Sequence, residues 1–230
     1  MTANLSVPAL RRRIFLIGLP MAGGAGLVLH ILTDISLPLA IGAFALLGAA
    51  VFGFVLSRLD PAGRRALRRR AGVGLVAGLI GTLAYDAARY GVVALFDMSF
   101  KPFHVFHIFG ELFIGTNHPD ALIFAVGLAY HISNGTFFGL AYTMVFRRPS
   151  WWTGALWGIG LELCMAFLYP TWLRIQMLNE FLEVSALGHV VYGATLGAVA
   201  AAGISRLAAR STGPAAAPVE APAPNPSEVP

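Results

Sequence analysis

Long apolar stretches recur along this chain of 230 residues, separated by short polar or basic connections. A helix needs about 20 predominantly apolar residues to cross the hydrocarbon core of a bilayer. Six stretches reach or approach that length, at residues 14–32, 37–56, 73–96, 121–146, 152–173 and 184–204. The pattern therefore predicts an all-α, polytopic membrane bundle of six transmembrane helices.

The connection at residues 97–120 differs from the others, because its middle is apolar but too short to span a bilayer. It is amphipathic and rich in aromatic residues, which indicates a short interfacial or re-entrant helix. The predicted organisation is an N-terminus at 1–13, a transmembrane domain at 14–206 and a tail at 207–230. The Pro/Ala bias of the tail predicts a disordered segment.

Most basic residues lie in those connections and ends of the chain that would face the same side of the membrane. They precede the first stretch, follow the sixth, and fill the connections between the second and third and between the fourth and fifth. The positive-inside rule then predicts that both termini are cytoplasmic. The brevity of the chain and its richness in Arg and Ala indicate a bacterial inner membrane. The composition is 57% hydrophobic and 12% charged, with a net charge of +5. We therefore expect the lipid bilayer as the partner and attribute the basic charge to topology, not to nucleic-acid binding.

A histidine–glycine signature occurs in two of the stretches. Both read H-x-x-x-G-x-x-x-G, beginning at His131 and at His189. Two other stretches carry G-x-x-x-G followed by an acid, which is Asp86 or Glu162. Small residues at this spacing let helices approach closely, within the chain or in a homo-oligomer. A duplication of stretches three and four as five and six is one explanation, and two independent packing motifs are the other.

A possible metal centre is the leading functional hypothesis. The spacing i, i+3 and i+7 places His104, His107 and Glu111 on one helical face. With three deeper candidates, which are His131, Glu162 and His189, they offer enough ligands for a transition metal such as Zn, Fe or Cu. The alternative for His104 and His107 is an interfacial position with the imidazoles in water. The alternative for His131 and His189 is a hydrogen-bonded packing core. Haem b fits less well, because the two deep histidines differ in depth.

A proton- or cation-coupled small transporter is the second hypothesis. The same intramembrane acids and histidines would serve as a proton relay. Four further candidates for a relay or an ion pair are Asp86, Arg89, Asn134 and Tyr192. A third hypothesis is a non-catalytic subunit or scaffold, and the residues do not decide whether the protein is an enzyme.

Two segments carry a resemblance to a known family. The helix beginning GLVAGLIGTLAYDA and the closing GHVVYGATLGA are similar to those of the YagU-like bacterial inner-membrane proteins. His189, Tyr192 and Gly193 match the H-x-x-Y-G turn of the last span in that family. The resemblance covers stretches three to six and implies a membrane location without an established activity.

Overall fold

The computed structural model describes residues 16–173 and 178–211. Seven α-helices account for most of these residues. In chain order they are α1 (Ala22–Leu32), α2 (Leu37–Ser57), α3 (Pro61–Leu95), α4 (His104–Ile114), α5 (Asp120–Val145), α6 (Trp151–Leu173) and α7 (Leu178–Ser211).

Five of the described helices are long and apolar enough to cross a bilayer, namely α2, α3, α5, α6 and α7. Large apolar side chains on their outer surfaces are exposed, among them Leu46, Leu79 and Phe167. A soluble monomer would bury surfaces of this kind, whereas a membrane protein turns them to lipid. The chain is therefore a multi-pass helical membrane protein.

The first predicted stretch does not form one long helix in its described part. The backbone turns at residues 18–21, around Pro20, and α1 begins only at Ala22. Proline lacks the backbone N–H and its ring clashes with the preceding turn, which explains the break. The 11 residues of α1 are too few to span a bilayer as one helix. The prediction of six spanning helices is thus confirmed for five, and residues 14–15 lie outside the described residues.

The basic connection between the second and third stretches is largely helical. The α3 helix starts at Pro61, twelve residues before the predicted position 73. Asp60 is its N-cap and accepts a hydrogen bond from the Gly63 backbone N–H at 2.8 Å. An N-cap aspartate followed by proline at the first helical position is a strong start signal. Five arginines therefore lie on the first turns of a helix and not in a loop.

The short apolar helix predicted within residues 97–120 is present as α4. It buries Phe106 and Phe109 and packs against α5. A Cβ atom on Gly110 would collide with the backbone of Ile123, and one on Gly127 would collide with that of Phe106. The two helices touch through these glycines, so α4 is held tightly against the bundle.

The last helix is longer than predicted at both ends. It runs from Leu178 to Ser211, whereas the apolar stretch covers 184–204. Its final turn thus extends into the segment predicted as a tail, and residues 212–230 lie outside the described residues. The predicted disorder of the tail stays a prediction.

Two helix pairs, α3 with α5 and α6 with α7, make up the larger part of the bundle, and α3 also packs against α7. The buried residues that join them are Ala77, Tyr85, Tyr142, Tyr192, Leu196 and Ala200. The glycine faces are occupied within the chain: a Cβ on Gly78 would meet the backbone of Gly135, and one on Gly158 would meet that of His189. A homo-oligomer through the same faces stays a prediction.

Candidate functional site

A cavity of about 100 Å³ lies among α3, α4, α5, α6 and α7. This volume holds several water molecules or one small solute. All five helices contribute to its wall, so the site depends on the assembled bundle. Its main polar lining residues are Arg89, His131, Asn134, His189 and Tyr192, and its apolar lining includes Phe109, Phe138, Leu161, Met165 and Phe181.

Asp86 on α3 and His131 on α5 form the first histidine–carboxylate pair. His131 Nε2 lies 3.1 Å from Asp86 Oδ2, and the two side chains are 16% and 17% exposed. Arg89 Nη1 is farther away, 3.9 Å from Asp86 Oδ1. Ionisable side chains at membrane depth are costly and are almost always paired. The pairing explains how the bundle holds these groups, and it includes the predicted i, i+3 pair of Asp86 with Arg89.

Glu162 on α6 and His189 on α7 form the second pair. His189 Nδ1 lies 2.7 Å from Glu162 Oε2. Ser185, one turn before His189, donates from its Oγ to the same carboxylate oxygen at 2.9 Å. Only 8% of Glu162 and none of Ser185 is exposed. Glu162 has no arginine on its own turn, and this pair supplies the partners that it needs.

Tyr85 lies between the two pairs. Its ring centroid is 5.7 Å from that of His131 and 4.9 Å from that of His189. The Tyr85 hydroxyl is 3.5 Å from Ser185 Oγ. Because Ser185 has one proton, which it donates to Glu162, Tyr85 is the donor in this longer contact. The tyrosine thus extends the second pair toward the first.

The hydrogen bonds define where each neutral histidine carries its proton. His189 Nδ1 faces two acceptors, Glu162 Oε2 and the Ser185 carbonyl at 3.1 Å. With Glu162 ionised, Nδ1 is therefore the protonated nitrogen, and Nε2 can accept a second proton. For His131 the roles are reversed, since Nε2 faces the Asp86 carboxylate. In each pair the imidazole nitrogen that faces away from the acid is therefore the one without a proton.

The repeated glycine signature places the two histidines at equivalent points. On α5, Gly135 lies one turn after His131 and packs on α3 beside Thr82. On α7, Gly193 lies one turn after His189 and packs on α6 against Gly154. The same spacing therefore brings both histidines to the helix facing them. Both the duplication and two independent packing motifs account for these contacts, so the duplication stays a prediction.

The two acids differ by one helical turn between the repeats. Asp86 follows Gly78 by eight residues, whereas Glu162 follows Gly158 by four. Gly78 packs against Gly135, one turn after His131, whereas Gly158 packs against His189 itself. The glycine contacts are therefore shifted by one turn between the repeats, and this shift brings each acid to its histidine, Asp86 to Nε2 and Glu162 to Nδ1.

The three outer candidates on α4 do not share a partner. His104 and Glu111 are exposed, and the rings of His104 and His107 stack with centroids 6.1 Å apart. His107 Nε2 instead lies 3.1 Å from Asp120 Oδ1 at the start of α5. The helical spacing is as predicted, but the contact of His107 is with an acid from the next helix.

The six predicted metal ligands do not form one cluster, and only Glu162 and His189 pair with each other. In the part of the chain that the structure describes, no group of three or more His, Cys, Asp or Glu side chains is arranged to hold a metal ion. A structural transition-metal site normally has four ligands, and a catalytic site has at least three from the protein. The metal centre stays a prediction, and the geometry gives it no support.

The other two predicted relay residues, Asn134 and Tyr192, line the same cavity. Tyr192 donates from its hydroxyl to the Gly135 carbonyl at 2.7 Å, which joins α7 to α5. Sequence reasoning missed Tyr85 and Ser185. The signals were available, because Tyr85 precedes Asp86 and Ser185 lies one helical turn before His189.

Comparisons with known proteins do not extend this picture. The sequence matches no protein-family model. No significant similarity to a curated protein or to a solved structure was found. The resemblance to YagU-like proteins therefore stays a prediction, and function must be argued from the cavity itself.

Proposed function

We propose that this protein is a small proton-coupled carrier whose cavity binds a solute and whose two histidine–carboxylate pairs bind and release protons. One observation supports it above all: both imidazoles, His131 and His189, line one cavity while each is bonded to its own buried acid. Intramembrane acids and histidines of this kind mark proton relays and substrate paths. Discontinuous and repeated helices around a central site are common in transporters.

The proposal includes six crossings of a bacterial inner membrane with both termini cytoplasmic. The broken first stretch, with its turn at residues 18–21 and the helix α1, would provide the first crossing. This topology places α4 and its connections on the extracytoplasmic side. Val105 and Phe109 of α4 line the cavity, so the cavity would open toward that side.

A carrier agrees better with the contacts than a metal protein does. Metal ligation requires several donors to converge on one point at about 2 Å. The imidazoles and carboxylates here are instead hydrogen-bonded to one another in pairs, and Glu162 is bonded to both His189 and Ser185. A scaffold would also pair its polar groups, but it would have no reason to place both imidazoles on a cavity wall.

Proton flux into liposomes tests the proposal. The purified protein is reconstituted, a potassium diffusion potential drives protons inward, and a trapped pH-sensitive dye reports the flux. We expect the wild type to exceed protein-free liposomes, and Glu162→Gln to lower the flux at least roughly tenfold, because an amide does not stabilise a protonated His189 as the carboxylate does.

Glu183→Gln is the matched control, since Glu183 is an exposed glutamate on α7. It should leave the flux unchanged. Wild-type flux no greater than that of empty liposomes, or equal flux for Glu162→Gln and the wild type, would contradict the proposal.

A further inference from the structure

We infer that the solute is a small organic anion of the monocarboxylate class, held by Arg89. The inference rests on the proposed carrier function and identifies the chemistry of its solute. It follows from the charge that the cavity wall presents, from an unused donor on Arg89, and from the size and polarity of the space.

The wall of the cavity carries basic side chains and no carboxylate. Arg89, His131 and His189 line the cavity, whereas Asp86 and Glu162 do not. Each acid instead contacts its own histidine, and Asp86 also forms a long ion pair with Arg89. A solute in the cavity therefore meets the Arg89 guanidinium, whose charge attracts an anion in a low-dielectric setting. The two imidazoles add to this attraction only in their protonated form. A cationic solute would meet no carboxylate on the wall.

Arg89 has binding capacity left. Only 2% of it is exposed, and Nη2 donates to the Pro102 carbonyl at 2.9 Å. The 3.9 Å between Nη1 and Asp86 Oδ1 is too long for a hydrogen bond. Its Nε has no hydrogen-bond partner among the described residues. A buried, unsatisfied guanidinium donor is costly, and a carboxylate is the acceptor that best matches its geometry.

The space restricts the anion to a small one with an apolar part. About 100 Å³ does not accommodate a large metabolite. Phe109, Phe138 and Met165 contribute apolar surface to the wall, which suits a short hydrocarbon chain next to the charged group. Asn134 and Tyr192 add polar groups that would orient the solute.

Thermal unfolding of the full-length protein in detergent tests the inference with three matched probes. Propionate carries the charge, propionamide is its neutral isostere, and propylammonium reverses the sign. We expect a saturable rise in Tm with propionate, beyond that of sodium chloride at the same ionic strength, because a ligand that binds the folded state stabilises it. Neither propionamide nor propylammonium should produce such a rise.

Variants then locate the anion. Arg89→Gln should weaken the apparent propionate affinity at least roughly tenfold, and Arg89→Lys, which keeps the charge but not the planar fork, should weaken it less. Arg206→Gln changes an exposed arginine on α7 and should bind as the wild type does. If Arg89→Gln does not fold, Arg89→Lys and the three probes on the wild type still test the anion site.

The outcomes separate the two proposals. No saturable wild-type response to propionate, an equal response to propionamide or propylammonium, or unchanged affinity in Arg89→Lys and Arg89→Gln overturns the anion site. A saturable, charge-selective response that is reduced at Arg89 supports it. Because binding is measured in detergent and flux in liposomes, a failure of proton flux with intact propionate binding overturns the carrier and not the site.

Discussion

Tyr192 joins two helices through a single buried hydroxyl. It is 3% exposed, and its 2.7 Å hydrogen bond to the Gly135 carbonyl links α7 to α5 beside the cavity. We expect Tyr192→Phe to lower the free energy of unfolding by about 0.5–1.5 kcal/mol, since one hydrogen bond is lost and the ring is kept. Unfolding by sodium dodecyl sulfate in mixed micelles, followed by circular dichroism, measures the change.

Tyr90→Phe provides the comparison, because Tyr90 is a tyrosine on α3 that is 60% exposed. Its unfolding free energy should stay within about 0.5 kcal/mol of the wild type. Equal stability of the two variants would show that the hydroxyl of Tyr192 does not hold the helices together.

For single residues, the sequence predicts which polar side chains lie inside the bundle but not how they pair with one another. Asp86, His131, Glu162 and His189 were recognised because ionisable groups are rare in apolar stretches. Their partners depend on how far each helix is rotated and shifted, which a linear pattern does not contain. The one-turn offset between the two acids shows this, since it is compensated by the packing register: Gly78 lies against Gly135, whereas Gly158 lies against His189.

Among the elements, α6 and α7 are in contact through backbone. A Cβ on Gly158 would collide with the His189 carbonyl, so Gly158→Ala must move the helices apart. We expect it to lower the free energy of unfolding by about 1–3 kcal/mol, as over-packed cores do. The shift would also disturb the 2.7 Å contact between His189 and Glu162. Unfolding in mixed micelles and proton flux report the two effects.

Gly160→Ala is the control on the same helix, because a Cβ at Gly160 meets no other atom within 4 Å. It should leave flux unchanged and keep or slightly raise stability, given the higher helix propensity of alanine. If Gly158→Ala is as stable as Gly160→Ala, then α6 and α7 are not in backbone contact at Gly158.

The ends of the elements were harder to predict than their existence. The basic residues before the third stretch suggested a loop, yet α3 begins at Pro61 behind the Asp60 cap. Hydropathy marks where a helix enters lipid, whereas capping and proline mark where it begins. The first stretch shows the opposite error, because an apolar run was read as one helix although Pro20 interrupts it.

For the whole molecule, the helical class followed from the apolar pattern. In lipid every backbone polar group must be satisfied within the protein, so long apolar stretches become helices. The arrangement of the helices was only partly accessible. The repeated H-x-x-x-G-x-x-x-G pointed to α5 and α7 as equivalent helices, and their contacts with α3 and α6 agree. The cavity between them had no signal of its own.

The orientation of the whole chain can be tested across α5. Its 26 residues separate an extracytoplasmic connection at 115–119 from the basic connection at 146–150 in the proposed topology. In a Cys164→Ser background, Asn117→Cys should react with a membrane-impermeant maleimide on intact spheroplasts. Arg148→Cys should react only after permeabilisation. Both parent side chains are exposed, so accessibility differs only by side.

The reversed labelling pattern would place the basic residues outside, against the positive-inside rule. It would also turn the cavity toward the cytoplasm, because α4 lines the cavity and Asn117 lies in the connection directly after α4. Labelling of both cysteines on intact spheroplasts would mean that α5 does not cross the membrane. Only protection of Arg148→Cys together with exposure of Asn117→Cys agrees with a cavity that takes its solute and protons from outside.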